Sequence, residues 1–248
     1  MNIVNWSFIT SQQVNIDHLT CITKLLDEDY YPFKHLSSDI VANRKGAAFL
    51  KCPAHTDFLK NTFIFCAPFD LTIELDICNE TNTVKIYCEN ISQEAFESII
   101  DTRFLYDKNR GVSEYPLLGI DWLTVFIADQ STIIQVFPAF MHRNDFTEKT
   151  TIVPGEYDIS KWTRPIETVF EIKNIKEKII IKKGDAISYI KFITDDITKL
   201  EQISTPWNDI ITCHNIVNSN RLRPLKERYK SLEEIKLNQE CQYDSKNK

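Results

Sequence analysis

ETVFEI (167–172), KIIIK (178–182) and AISYIKFI (186–193) decide the fold class. β-branched and aromatic residues dominate all three, and the third alternates apolar with polar positions, the period of a strand. A polar stretch at 173–177 separates the first two, and Lys183-Gly184-Asp185 separates the last two. Gly184 suits a turn that needs a positive φ. The spacing predicts three antiparallel strands joined by tight turns.

Moving outward, TFIFCAPFDLTIEL (62–75) has the same β character with Pro68 in its middle, which predicts two short strands meeting at a bend. TVKIYC (83–88) alternates and follows the turn-forming NETN (79–82), so a hairpin is expected. In SQEAFESII (92–100) Ser92 is a natural N-cap, and Ala95, Phe96, Ile99 and Ile100 recur at helical spacing. Residues 122–126 and 132–137 return to strand composition, and 138–154 reads as a long polar loop or an edge hairpin. Near the C-terminus, Leu225, Tyr229, Leu232 and Ile235 make a narrow apolar stripe that predicts an amphipathic helix at about 224–238. Residues 1–50 are expected as an N-terminal extension packing on a β domain at 51–200, with 201–248 as a second extension.

The 248 residues carry 29 Lys and Arg against 35 Asp and Glu, a net charge of −6, which argues against binding nucleic acid through its phosphates. With 43% hydrophobic and 26% charged residues the composition is that of a globular protein, not a disordered tail or a fibre. Seven cysteines, an odd number without a C-x-x-C pair, read as reduced and mostly buried thiols. Residues 1–6 show no basic region followed by an apolar run, and no apolar run is long enough to span a bilayer. An intracellular location without membrane contact is the expectation.

Two blocks carry a resemblance. The first is Lys51-Cys52-Pro53, then Asp57-Phe58-Leu59-Lys60-Asn61-Thr62-Phe63 and Ala67-Pro68-Phe69-Asp70-Leu71. The second is Val153-Pro154-Gly155-Glu156-Tyr157-Asp158-Ile159, then Trp162-Thr163-Arg164-Pro165-Ile166-Glu167 and the stretch from Ile181 through Gly184-Asp185 to Ile190. Together they resemble a family of uncharacterised proteins of tailed bacteriophages, marine ones especially. The second block is also similar, more distantly, to the latter half of dUTPase and dCTP-deaminase-like β-barrels. That resemblance implies a mainly β, antiparallel barrel or β-clip, assembled as a homo-oligomer such as a trimer. It does not bring the hydrolytic chemistry with it. There is no Pro-Arg-Ser segment for the phosphates and no Gly-rich closing arm, and the five glycines (Gly46, Gly111, Gly119, Gly155, Gly184) are scattered.

The candidate ligand- or partner-binding residues are therefore Glu156, Tyr157, Asp158, Trp162 and Arg164. Trp162 beside Arg164 pairs a ring with a guanidinium, a combination typical of binding anchors, although packing at a barrel rim explains it as well. His55-Thr56-Asp57 is an H-x-D that, with a distant His214, suits an Fe(II) facial triad, Arg221 or Arg223 then pairing a 2-oxoglutarate carboxylate. A surface or capping histidine is the competing account. Asp70, Glu74 and Asp76 read as the solvent face of a strand, and Asp195-Asp196 as a turn. His142-Arg143-Asn144-Asp145 suits either recognition or a solvated loop. Tyr30-Tyr31-Pro32-Phe33 is an aromatic cluster best explained by packing of the extension on the domain.

The function expected is a phage-encoded, non-enzymatic binding or assembly protein, without cofactor, acting on a host or phage protein in the host cytoplasm or the virion. The alternatives are a Mg-dependent nucleotide-binding or nucleotide-hydrolysing enzyme using Glu156, Asp158 and Arg164, and the Fe(II)/2-oxoglutarate oxygenase.

Overall fold

The computed structural model describes residues 2–8, 26–27, 29–43, 51–78, 83–102, 105–107, 111–113, 115–128, 130–160 and 165–203. In chain order the strands are β1 (Asn2–Phe8), β2 (Phe33–His35), β3 (Thr62–Cys66), β4 (Leu71–Cys78), β5 (Thr83–Cys88), β6 (Ile100–Asp101), β7 (Tyr106–Asp107) and β8 (Gly111–Val112). They continue with β9 (Leu117–Ile127), β10 (Ile133–Pro138), β11 (Thr150–Ile152), β12 (Gly155–Asp158), β13 (Pro165–Ile172), β14 (Ile179–Ile181), β15 (Ala186–Ile193) and β16 (Thr198–Gln202). The helices are α1 (Leu36–Asn43), α2 (Pro53–Leu59), α3 (Gln93–Ile99) and α4 (Asp145–Lys149). The helix expected at about 224–238 lies outside the described residues.

The chain is mainly β. One large sheet runs β11-β13-β9-β1-β16, with β6 also pairing β9, and a second runs β12-β10-β15-β3-β2. A third, smaller sheet is β14-β4-β5, and β7 pairs β8. None of these sheets closes into a barrel among the described residues.

The two large sheets face each other across one apolar core. Rings from opposite sheets meet there: Phe65 and Trp122 at 6.1 Å, Phe126 and Phe192 at 5.6 Å, Trp6 and Phe33 at 5.1 Å between centroids. Burial alternates along β13. Ile166, Thr168, Phe170 and Ile172 are buried, whereas Glu167, Val169 and Glu171 are only partly so. Thr168 Oγ1 accepts the indole N–H of buried Trp122 at 3.0 Å, which satisfies the one polar atom the core imports with that ring. β15 is buried on both faces. Ile187, Ile190 and Phe192 enter the core between the sheets, while Ala186 and Tyr189 lie beneath Leu36 and Ile40 of α1 and Leu59 of α2. Each such side chain withdrawn from water contributes about 1.5–3 kcal/mol before its entropy cost.

The three strands expected to pair in sequence do not pair with one another. β13 sits between β11 and β9, β14 pairs β4, and β15 lies between β10 and β3. The cause is a shared corner. β3 and β15 form one half of a ribbon, β4 and β14 the other, and both chains bend together at 67–70 and 182–185. Pro68 cannot donate to a ladder, and Gly184 takes the positive φ of 92° that the opposite bend requires. Ala67 then accepts the Gly184 N–H and donates to the Asp185 carbonyl, both at 2.9 Å, and Asp70 Oδ1 accepts the Lys183 N–H at 2.6 Å. The turn expected at Lys183-Gly184-Asp185 is present, but the strands it joins pair elsewhere.

The extension expected over residues 1–50 does not describe β1, which lies inside a sheet, parallel to β16 and antiparallel to β9. Val4, Trp6 and Phe8 alternate into the core, so the strand completes a sheet that would otherwise expose β9. The Tyr30–Phe33 cluster does pack as read: Phe33 is buried against Trp6, and Tyr31 donates its hydroxyl to the Leu200 carbonyl at 3.2 Å. The bend at Pro68, the β4–β5 hairpin and the Ser92-capped α3 also match the sequence reading. The expected loop at 138–154 instead contains α4 and β11. Asn144 and Thr147 cap α4 reciprocally, and Lys149 pairs with Asp145 at 2.7 Å. β11 and β12 do not form an edge hairpin; they border different sheets. No described helix is long and apolar enough to cross a membrane.

Candidate functional site

Three of the five candidate residues can be placed; Trp162 and Arg164 lie outside the described residues. Glu156, Tyr157 and Asp158 form the outer strand β12 and pair with Gln135, Ile134 and Ile133 of β10. Asp158 closes the junction between the two strands. Its carboxylate accepts from the Ser160 hydroxyl at 2.6 Å, the Ser160 N–H at 3.0 Å, the Ser131 hydroxyl at 3.0 Å and the Thr132 N–H at 3.4 Å. Burial by itself would raise the carboxyl's pKa, but the Ser160, Ser131 and Thr132 donors together outweigh it and hold the group below the ordinary value of 3.8. Glu156 accepts from the Gln135 side-chain amide at 2.6 Å, and Tyr157 packs against the core. These side chains tie two strands together.

His55 and Asp57 are both exposed on α2, and His214 lies outside the described residues. An H-x-D pair reaches one metal from a strand, where residues two apart share a face; on a helix the same spacing turns them roughly 200° apart. No group of three or more His, Cys, Asp or Glu among the described residues is placed to hold a metal ion. The acids of β4 behave as a solvent face, with Glu74 and Glu89 both pairing Lys178. At 195–196 the chain turns, held by the side-chain amide of Asn61, which donates to the Thr194 and Asp196 carbonyls.

A more connected arrangement surrounds His142. Its Nδ1 lies 2.7 Å from the Tyr189 hydroxyl and its Nε2 lies 2.9 Å from Asp39 Oδ2. A carboxylate only accepts, so in the neutral imidazole Nε2–H donates to Asp39 and Nδ1 accepts from Tyr189. The Met141 N–H donates to the same hydroxyl at 3.1 Å. Tyr189 is 0% exposed, whereas the His142 and Asp39 side chains are partly open to solvent. What it does is fasten α1 and the 138–144 loop onto β15.

Beside this clamp a cleft of about 290 Å³ opens, lined among others by Phe140, Arg143, Phe146, Ile152 and Lys173. Phe146 and Ile152 are buried and floor it, whereas Phe140 is 59% exposed. Lys173 Nζ caps α4 by donating to the Glu148 carbonyl at 2.8 Å. Arg143 is exposed and has no hydrogen bond or ion pair among the described residues. A second cleft, about 550 Å³, lies between α3 and β5 and is lined by Lys85, Tyr87, Gln93 and Glu97. There Gln93 donates to both the Ile86 carbonyl and Glu97.

Cys66 is buried, and that burial pushes its thiol up to about 11; Cys52 is exposed and Cys88 half-buried, all three free. Compared with known protein families and with curated proteins, the chain matches none.

Proposed function

We propose that the chain is a non-enzymatic binding or assembly protein of a tailed bacteriophage, acting as a homo-oligomer on a host or phage protein, in the host cytoplasm or the virion. The finer reading of its scaffold, a β-clip related to dUTPase, draws support from the paired bend around Pro68 and Gly184. The observation that carries the functional reading is the commitment of Asp158. A nucleotide hydrolase needs a carboxylate free to activate water or hold magnesium, whereas this one accepts four hydrogen bonds from its own framework. Glu156 is engaged by Gln135 in the same way.

Incubation of the full chain with dUTP or dCTP and magnesium tests this directly. No turnover is expected, and turnover that disappears in Asp158→Asn would overturn it. Light scattering tests the assembly, with a trimer the expected species.

A further inference from the structure

The outer face of β12, β10 and β15 departs from the pattern of a solvated sheet face, whose outward positions are polar. β10 turns Ile134 and Val136 into the core, yet Ile133 and Phe137 stand with Gln135 on the opposite side. On β15, Ile190 and Phe192 point inward, which leaves Lys191 and Ile193 outward beyond Tyr189. α1 and α2 cover this face over Ile64, Cys66 and Tyr189. Farther along it Ile133 is 36% exposed and Ile193, directly opposite, 43% exposed. At the other end the exposed ring of Phe140 continues through Phe58 to Phe137, with centroids 5.8 Å apart at each step. Apolar surface gathered in this way marks a contact site.

A polar row between these apolar ends identifies the partner. Lys191 on β15, Gln135 on β10 and Glu156 on β12 lie side by side in register. Gln135 donates to Glu156 at 2.6 Å, and Lys191 Nζ stands 5.2 Å from the centre of the Phe58 ring, so all three share the outer face. A cation and a carboxylate therefore flank β10 at two strand spacings, about 10 Å. Asp158, the other acid of β12, is held at the sheet end by Ser131, Ser160 and Thr132. A twofold axis along β10 exchanges the two flanks: Lys191 of each copy falls on Glu156 of the other copy, while Ile133 and Phe137 meet their own counterparts. We infer that this face binds a second copy of the chain, sheet against sheet about that axis. The inference rests on the homo-oligomer reading above and names one of its contacts.

Sedimentation equilibrium of the full chain, carried up to about 100 µM, counts the copies. A contact of this symmetry closes on two, so an even-numbered species is expected: a dimer, or a hexamer where a threefold contact forms as well. Lys191→Glu and Glu156→Lys, each alone, bring like charges together twice in every pair and should weaken pairing at least about tenfold. Both side chains reach solvent, and circular dichroism checks that each variant keeps its fold. Mixing the two variants restores both opposite-charge contacts in the mixed pair and should return the association, which a folding defect in either chain would not allow. A monomer or a trimer of the unmodified chain, or a mixture that pairs no better than its components, overturns the inference. The failures are distinguishable: a trimer removes this contact and leaves the homo-oligomer reading standing, whereas a monomer at every concentration removes both.

Discussion

The junction at Asp158 and the cleft at Arg143 present the same kinds of groups, charged side chains near strand ends, in opposite states. At the junction every donor around the carboxylate is engaged, and the residue serves to hold β12 on β10. At the cleft the Arg143 guanidinium stands exposed beside an apolar floor, with no hydrogen bond or ion pair among the described residues. Charge and spacing in a sequence do not separate these states. Committed hydrogen bonds mark the residues that build, and uncommitted ones in a concave site mark those able to bind.

His142 sharpens this contrast because it lines the cleft yet is fully engaged. His142→Leu removes the acceptor of the buried Tyr189 hydroxyl and the donor to Asp39, at a cost of about 3 kcal/mol. Measured by urea unfolding, that should be the largest single effect among the side chains compared here. A loss under about 0.5 kcal/mol would place His142 with the binding residues instead.

Asp158→Ala should cost about 2 kcal/mol, less because the carboxylate is partly open to solvent. Its pH dependence has a definite sign. The folded-state pKa lies below the unfolded value of 3.8, so the contribution is full above that value and is lost as pH falls through the lower, folded one. Asp158→Asn should therefore unfold with a flatter acid limb than the parent below about pH 4. An identical acid limb would mean the junction is not what the hydrogen bonds describe.

Gly184→Ala tests the corner on which the sheet arrangement depends. A Cβ there finds space, the nearest atom being the Tyr30 hydroxyl oxygen at 3.8 Å, so the penalty is conformational. At a φ of 92° it should be about 1 kcal/mol, a fall in Tm of roughly 2–4 °C. A stabilised variant would show that the bend tolerates an ordinary backbone.

Much of the secondary structure was legible because its signals are local. β-branched and aromatic composition located β13, period-two alternation located β15, Pro68 located the bend before β4, and Ser92 located the start of α3. Pairing was not legible, since three strands close in sequence enter three sheets and nothing in ETVFEI or KIIIK names its partner. The alternation of Val4, Trp6 and Phe8 is a usable signal for β1. The Asn144–Thr147 cap escaped because it departs from the usual Ser/Thr with Glu/Gln pattern. The clamp at His142 joins residues 103 and 47 positions away, a juxtaposition that no composition reveals.

The smallest expected effect completes the comparison. Arg143→Gln should leave unfolding unchanged within about 0.5 kcal/mol, because the guanidinium has no partner among the described residues and stands in solvent. The informative design sets it beside Asp158→Ala in the same urea titration. One charge is removed from each region, with opposite expectations for stability. If Arg143→Gln destabilised the chain as much as Asp158→Ala, the guanidinium would belong to the framework. If it leaves stability intact, the two regions divide as their hydrogen bonds do, one holding the fold and the other facing outward.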